Sequence, residues 1–202
     1  TWAIKAGGAE ADTGKAIASD GSTGAFVTGS FKGTAAFDGL TLTSNGGLDV
    51  FVMHTNQAGV IDWAVHAGGS GHDTGYAISP DTSGGAWVAG DFQNSAVPFG
   101  STQLSSNGLS DIFAMHVRRD AGTSRTVDLA LSAGGTFFDV CEGLAPDGMG
   151  GAFCAGYFYN TIVFGATSLT SSGSADIVLF RISSGSVVWA LKAGGSLGDS
   201  AE

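Results

Sequence analysis

The sequence has few basic residues: 8 Lys and Arg stand against 18 Asp and Glu, which gives a formal net charge of −10 at pH 7. A chain this acidic has no positive surface for a phosphate backbone, which argues against a nucleic-acid partner. It also lacks any apolar run approaching the ~20 residues that a membrane-spanning helix needs. Proline is rare, at 3 residues, while 43% of the residues are hydrophobic, a balance unlike that of disordered chains. We therefore expect a folded protein that neither binds nucleic acid nor inserts into a membrane.

Cysteine and the familiar catalytic motifs are also scarce. The chain has 2 cysteines, Cys141 and Cys154, which is too few for a zinc site built from Cys ligands. It carries no zinc-protease, phosphate-loop, dinucleotide-binding or nucleophile-elbow motif in a chemically sensible context. The sequence thus predicts a protein that is not an enzyme, with no catalytic, cofactor-binding or metal-ligating residues.

Glycine, by contrast, is abundant, at 34 of 202 residues, more than twice its usual share of about 7%. It separates short apolar segments that are rich in β-branched and aromatic residues, a pattern typical of short strands joined by tight turns. No segment carries a 3.6-residue apolar stripe over the length of a helix. These features predict an all-β fold.

A sequence repeat governs the organisation of the chain. The phrase Trp-Ala-Ile-Lys-Ala-Gly-Gly at Trp2 returns in closely similar form at Trp63, Leu129 and Trp189. A period of roughly 60 to 66 residues indicates a repeat architecture, in which each unit packs on its neighbours. We therefore expect one repeat array over residues 1–202, with repeats at 1–62, 63–128 and 129–188 and the start of a fourth at 189–202.

Each repeat divides into four strand-like segments. In the first repeat these are Trp2–Ala6, Lys15–Ser19, Ala25–Phe31 and Asp49–Thr55. The turn at Asp20-Gly21 between the second and third segments has the chemistry of a tight hairpin, which requires antiparallel strands. Four antiparallel strands per repeat, stacked by their faces, describe a β-propeller blade better than a β-solenoid, whose coils are shorter and parallel. The chain would then contain three blades and a partial repeat.

The order of the repeated motifs resembles that of a known family. Trp-Ala-x-x-Ala-Gly-Gly is followed by Gly-Ala-Phe-Val-Thr-Gly-Ser-Phe and then by Ser-Asn-Gly-Gly-Leu-Asp-Val-Phe-Val, as in the SBBP repeats, which build seven-bladed β-propellers. The resemblance implies a propeller fold in a secreted or surface protein and does not by itself imply an enzymatic activity. It also implies that Trp2–Ala6 is the outermost strand of a blade that a longer parent chain or another copy must supply.

The two cysteines are predicted to form a disulfide. Counting outward from the turn at Asp147–Gly148 places Cys141 directly opposite Cys154 on the neighbouring strand. Opposed residues in an antiparallel pair have Cβ atoms ~4.5–5.5 Å apart, close to what a disulfide requires. A disulfide would indicate an oxidising, extracellular or cell-surface setting. The alternative is a pair of buried free thiols that act as small apolar residues.

The histidines are predicted to be structural. His54 and His116 occupy one repeat position, and Arg181 occupies it in the third repeat, which argues against a catalytic or metal-binding role. His66 shares its position with lysine and serine and is predicted to be exposed. No partner can be identified for His72.

Aspartate recurs at fixed positions near turns, and we expect it to cap them. Calcium binding by these carboxylates is the alternative, although the sequence has no D-x-D-x-D-G run. The Ser/Thr-rich stretches before the last segment of each repeat are predicted loops: Thr41–Gly47, Gln103–Ser110 and Ser168–Ala175. The second repeat holds an insertion, Arg118–Arg125, which is either a solvated loop or a contact with an acidic neighbouring subunit.

Together these features predict a non-enzymatic extracellular structural or adhesion protein that assembles into oligomers or filaments. Its expected partners are other copies of itself or further blades of a longer parent chain. The alternative is a ligand-binding propeller module of a longer surface protein, with glycans as the ligands. A hydrolase or lyase propeller is a further rival, for which Glu142 and the histidines offer weak support.

Overall fold

The computed structural model describes residues 1–119 and 125–201, and within them only the backbone of Arg119. These residues form fifteen β-strands and no α-helix, so the described residues contain no helix that could cross a membrane. The predicted all-β class is confirmed. The strands form three antiparallel sheets and one small hairpin.

Sheet I contains β1 (Ala6–Gly8), β2 (Asp12–Ser19), β3 (Ala25–Phe37), β4 (Leu40–Thr55) and β5 (Ile61–Ala67). Sheet II contains β6 (Thr74–Pro80), β7 (Ala86–Phe92), β10 (Asp111–Arg119) and β11 (Arg125–Ala133), and the hairpin is β8 (Val97–Phe99) with β9 (Thr102–Leu104). Sheet III contains β12 (Asp139–Pro146), β13 (Ala152–Phe164), β14 (Thr167–Ser183) and β15 (Ser186–Ala193).

The three sheets share one strand order. In each, four strands pair in chain order, so that β2, β6 and β12 lie at one edge and β5, β11 and β15 lie at the other. In sheet I the long strand β3 pairs with β2 along its first part and with β1 along its last part. Each sheet therefore takes its first three main strands from one repeat, and its last strand contains the start of the next repeat.

The sheets pack on one another through alternating side chains. Phe26 and Val52 of sheet I share a buried cluster with Val88 and Phe113 of sheet II. A second cluster joins sheets II and III, and it includes Trp87 from sheet II and Phe180 from sheet III. Sheet II therefore has an apolar core on each of its faces.

Two sequence predictions about strands were wrong. Only Ala6 of the predicted strand Trp2–Ala6 lies in a strand, since residues 1–5 have no neighbouring strand to pair with. The predicted loops Thr41–Gly47 and Ser168–Ala175 lie instead inside β4 and β14. One threonine in each stretch meets a threonine of the partner strand, Thr43 with Thr34 and Thr170 with Thr161, and cross-strand pairs of this kind stabilise a sheet.

Candidate functional site

Aspartate caps the hairpin turn at the start of each sheet, as predicted. The Oδ1 atom of Asp20 accepts the backbone N–H groups of Ser22 at 2.7 Å and Gly24 at 3.0 Å. Asp81 and Asp147 accept the equivalent pairs at distances of 2.7 to 2.8 Å. The bond from the Ser22 backbone contributes most to lowering the pKa of Asp20, to about 2. In each case the carboxylate accepts hydrogen bonds from the backbone of its own turn.

Each capping aspartate also pairs with a basic side chain. His54 lies between two carboxylates, with Nδ1 2.7 Å from Asp62 and Nε2 3.1 Å from Asp20. His116 repeats this arrangement in sheet II, 2.7 Å from Asp128 and 2.9 Å from Asp81. Both rings are mostly buried. Each imidazole therefore links the carboxylate of the turn to a carboxylate of the last strand.

Sheet III uses a permanent cation at this position. Arg181 donates from Nε and Nη2 to Oδ2 of Asp147, at 3.0 and 2.8 Å, and this bond lowers the pKa of Asp147. Val188 stands where Asp62 and Asp128 stand in the other sheets. Arg181 therefore pairs with one carboxylate, whereas His54 and His116 each pair with two. The group ties the turn to the last strands of its sheet, which is a structural role.

We expect His116→Ala to lower the free energy of unfolding by about 2 kcal/mol, because it leaves the buried carboxylate of Asp81 without its side-chain partner. His116→Arg supplies a hydrogen-bond donor there, as Arg181 does in sheet III, and should cost less than about half as much. Urea denaturation of both variants measures the difference. Equal losses for the two variants would contradict a requirement for a side-chain partner of Asp81 at this position.

A second set of aspartates lies at the junctions between sheets. Asp73 and Asp139 each begin a sheet, and their backbone N–H groups donate to carbonyls of the preceding sheet, at 2.8 Å to Leu48 and 3.0 Å to Ser110. Their Oδ2 atoms accept the N–H of the second glycine of the Gly-Gly pair, at 2.7 and 2.8 Å. Burial raises the pKa of each to about 7.

A third set faces these aspartates from the preceding sheet. Asp49, Asp111 and Asp176 are buried, and Oδ2 of each accepts a backbone N–H four residues earlier at 3.0 to 3.1 Å. Their Oδ1 atoms have no hydrogen-bond partner among the described residues. A basic side chain accompanies two of them, since His66 lies 3.1 Å from Asp49 and Lys192 lies 3.0 Å from Asp176. Asp111 has Ser132 at the corresponding position, so the two carboxylates at the junction of sheets II and III have no basic side chain from that position.

We expect stability to rise by about 1–2 kcal/mol for each raised junction aspartate as the pH falls from about 7.5 to about 5.5. Folded Asp139 binds its proton near pH 7, whereas an unfolded aspartate binds it near pH 3.9. The folded state therefore holds more protons in this window, and the cost of burying the ionised carboxylate is fully present above about pH 7. Urea denaturation across this range provides the test.

The variant Asp139→Asn should reduce the change in the free energy of unfolding per pH unit between about pH 5.5 and 7.5. This holds whether the variant is more or less stable than the wild type at any single pH. Asp147→Asn is the matched control, because the lowered pKa of Asp147 keeps its titration below this range. A slope that is the same in the wild type and in Asp139→Asn would contradict the assignment.

The edge strands β2, β6 and β12 each contain a β-bulge. The register shifts between Gly14 and Ala16, between Gly75 and Ala77, and between Cys141 and Gly143. The extra residues at these shifts are Lys15, Tyr76 and Glu142. A bulge re-aims the side chain of its extra residue and is frequent next to functional sites.

A glycine opposite each bulge makes room for it. Gly29, Gly90 and Gly156 pair with the residue just before the bulge. A Cβ atom at any of them would overlap the carbonyl oxygen of the bulged strand, which belongs to Thr13, Thr74 or Val140. The repeated Gly before Phe31, Phe92 and Phe158 therefore exists because of the bulge.

The bulged residues and their neighbours form the candidate site, which we call the inner-strand cluster: Lys15, Tyr76, Asp91, Glu142 and Tyr157. The first strands of neighbouring sheets lie side by side, and the ammonium of Lys15 lies over the ring of Tyr76, 5.4 Å from its centroid. Burial, followed by the charges of Asp91 and Glu142, raises the pKa of Tyr76. Burial also raises the pKa of Asp91 to about 6.

Sequence reasoning missed most of this cluster. It considered Glu142 and set it aside, and it did not consider Tyr76 or Asp91. A signal was present: these positions differ chemically between repeats that otherwise agree, with Lys15, Tyr76 and Glu142 at one equivalent position.

The predicted disulfide is present, but not with the predicted register. Cys141 and Cys154 are bonded, with a Cα–Cα distance of 6.1 Å. Cys141 pairs with Gly156, and Cys154 pairs with Leu144. The direct opposition of the two cysteines was wrong because the hairpin closes between Pro146 and Ala152 and is centred on Met149, later in the chain than the assumed centre at Asp147–Gly148. The disulfide therefore spans the bulge, beside the inner-strand cluster.

The remaining predictions about polar residues have mixed outcomes. The expected exposure of His66 was wrong, since its side chain is only 28% exposed and pairs with Asp49. His72 is exposed, and its Nδ1 accepts the Leu48 backbone N–H at 3.4 Å. Most of the insertion Arg118–Arg125 lies outside the described residues, and at its end Arg125 lies 5.2 Å from the Trp63 ring centroid.

Neither a protein-family description nor a curated protein matches the chain. In the described part of the chain, no group of three or more His, Cys, Asp or Glu side chains is placed to hold a metal ion. What the geometry offers is a cluster of tyrosines and carboxylates along the first strands, and two sheet faces at the ends of the array.

Proposed function

We propose that this chain is a non-enzymatic structural or adhesion protein of the extracellular space or cell surface, whose three sheets are propeller-type blades. Its two end faces associate head to tail with further copies. The observation that carries the proposal is the difference in exposure between equivalent side chains. Ile17 of sheet I is 71% exposed, whereas Ile78, its equivalent in sheet II, is 6% exposed because sheet I covers it.

The free face of sheet I is an apolar depression. Val27, Phe37, Phe51 and Met53 line it. The free face of sheet III carries exposed leucines at Leu179 and Leu191. Inside the chain, faces of these two types pack on each other at both junctions. Since the sheets are repeats, the free faces are complementary in the same way, and a heterologous contact of this kind propagates into a filament.

The first residues of the chain compete for this contact. Trp2 packs on Gly59 of the β4–β5 turn, as Leu129 packs on Gly185 of the equivalent turn in sheet III. Residues 1–5 thus lie where the last strand of a preceding sheet would lie. In an association between copies, β15 of one copy would take the place that Trp2 fills in the next. Removing residues 1–5 should therefore strengthen the association.

An extracellular setting is supported by the disulfide, because cytosolic thiols are kept reduced. The low density of charged residues, at 13%, leaves a surface dominated by Ser, Thr, Gly and Asn, which suits contact with other surfaces. The proposal of a non-enzymatic role is supported by the structural use of the histidines and the turn aspartates.

Light scattering over a range of chain concentrations tests the proposal. The wild-type mass should rise above the 20.1 kDa of one chain as concentration increases. Ile17→Glu and Leu191→Glu each disable one face and should each stop growth, while Met149→Glu, at an exposed turn residue, should not. A mixture of the two face variants keeps one intact junction, so it should form dimers and nothing larger.

A wild-type chain that remains a monomer at every concentration, with and without residues 1–5, would overturn the assembly proposal. Growth that Met149→Glu blocks as strongly as Ile17→Glu would show general apolar aggregation instead of head-to-tail contact.

A further inference from the structure

We propose that copies of the chain associate by exchanging a strand, in which residues 193–195 of one copy replace β1 (Ala6–Gly8) on β3 of the next copy. The inference rests on the proposed head-to-tail association. It adds a backbone contact between copies and gives residues 1–8 an inhibitory role, because they occupy the receiving strand until they are displaced.

The two segments that would exchange are nearly identical in sequence. Residues 2–8 read Trp-Ala-Ile-Lys-Ala-Gly-Gly and residues 189–195 read Trp-Ala-Leu-Lys-Ala-Gly-Gly, so they differ only at Ile4 and Leu191. A strand that accepts the first segment should therefore accept the second. Exchange of an equivalent element between copies is a known route to association, and an added strand gains its affinity from main-chain hydrogen bonds.

The junctions inside the chain show the pairing that the exchange would reproduce. The N–H of Gly68 donates to the carbonyl of Pro98 at 3.2 Å, and the N–H of Val163 donates to the carbonyl of Gly134 at 3.1 Å. In both cases a glycine that directly follows the last strand of one sheet bonds to a strand further along the chain, β8 or β13. The last strand of a sheet thus continues onto the repeat that follows it.

The two ends of the array each hold one half of this contact. Gly7 pairs with Ala36 of β3, and Ala36 is the equivalent of Pro98 and Val163. Gly194 directly follows β15, and no strand in the described part of the chain pairs with it. In the exchanged state Gly194 of one copy would pair with Ala36 of the next, as Gly68 and Gly134 pair inside the chain.

The segment after β15 already has the conformation of a junction. The N–H of Gly195 donates to Oδ2 of Asp199 at 2.8 Å, as the N–H of Gly8 donates to Oδ2 of Asp12 at 2.7 Å. The N–H of Asp199 donates to the carbonyl of Ala175 at 2.8 Å, a bond that the equivalent aspartate makes at each junction inside the chain. On exchange, Asp12 of the next copy would replace Asp199 in both bonds.

The segment that must leave is held by few contacts. β1 is three residues long and pairs only with β3. The indole N–H of Trp2 donates to the carbonyl of Gln57 at 3.0 Å, yet the residue is 52% exposed, whereas the equivalent Trp63 is 6% exposed at an internal junction. The incoming β15 belongs to sheet III, so its arrival also brings the free faces of sheets III and I together and buries apolar surface on both. The exchange should therefore become favourable as the concentration of the chain rises.

Limited digestion of the wild type with trypsin tests the exchange, because it affects two lysines in opposite directions. Lys5 lies in the displaced segment, and its cleavage should be at least about threefold faster in assembled than in dilute protein, since cleavage follows the population of the open form. Lys192 lies in the incoming segment, and its cleavage should be at least about threefold slower for the same reason. Leu191→Glu, which stays a monomer, should show neither change.

Deletion of residues 1–8 gives a second test. It removes the segment that blocks β3, so the deleted chain should associate at least about tenfold more tightly than the wild type in light scattering. An excess of acetyl-Trp-Ala-Ile-Lys-Ala-Gly-Gly-amide, which restores the missing segment as a free peptide, should reverse this growth. A peptide of the same composition in scrambled order is the control and should have no effect.

The outcomes separate the exchange from the association on which it rests. Protection of both Lys5 and Lys192 in assembled protein would show that the faces meet with residues 1–8 in place, which overturns the exchange and leaves the head-to-tail association standing. A deleted chain that associates no more tightly than the wild type would also overturn the exchange. If neither chain associates at any concentration, both proposals fail.

Discussion

Gly90→Ala should lower the free energy of unfolding by about 3 kcal/mol or more. A Cβ atom at Gly90 would overlap the Thr74 carbonyl oxygen, and further backbone atoms of β6 lie close behind it. Neither side can move easily, because β6 and β7 are packed between sheets I and III. The strain cannot be relieved by rotating a side chain, since the obstructing atoms belong to the backbone.

The matched control is Gly14→Ala. Gly14 also lies beside a bulge, but a Cβ atom there would meet nothing within 4 Å, so the change should stay within about 0.5 kcal/mol. Urea denaturation of both variants provides the comparison. A loss below about 1 kcal/mol for Gly90→Ala would mean that the bulge can rearrange, and Tyr76 would then not be held as described.

Removing the disulfide should cost about 2–3 kcal/mol. The bond closes a short loop, with a sequence separation of 13, and a cross-link over this length constrains the unfolded chain by about that amount. The variant Cys141→Ala/Cys154→Val avoids buried polar atoms, and valine already stands at the equivalent position in the other sheets, as Val27 and Val88. The loss should therefore reflect mainly the cross-link, with a smaller packing contribution from position 141.

A reducing agent separates the two contributions. Dithiothreitol should destabilise the wild type and leave the double variant unchanged in thermal denaturation. If the reduced wild type and the oxidised wild type unfold at the same temperature, the disulfide contributes no stability.

The sequence was most informative where the same short residue pattern recurs in every repeat. Asp20 with Gly21 predicts a capped hairpin, and the structure contains it. The repeat period predicts one sheet per repeat. These features depend on residues that are close together in the chain, so pattern and spacing are enough to identify them.

Sequence reasoning failed where contacts between distant segments decide the outcome. The bulge at Tyr76 cannot be read from the local sequence, because it depends on Gly90 making room on the next strand. The pairing of His66 with Asp49 joins two strands whose register must be known first. Trp2–Ala6 was predicted as a strand from its similarity to Trp63–Ala67, but a strand needs a partner to pair with, and only Ala6 has one.

Because both faces of sheet II are buried, sheet II should unfold locally less often than the two outer sheets. In a linear array each unit is stabilised by its neighbours, so a unit with two neighbours opens less often than a unit with one. Sheet II shares one core with sheet I and another with sheet III. Its amide hydrogens, such as those of Val88 and Phe113, should therefore exchange with solvent more slowly than the amides at the equivalent positions in the outer sheets.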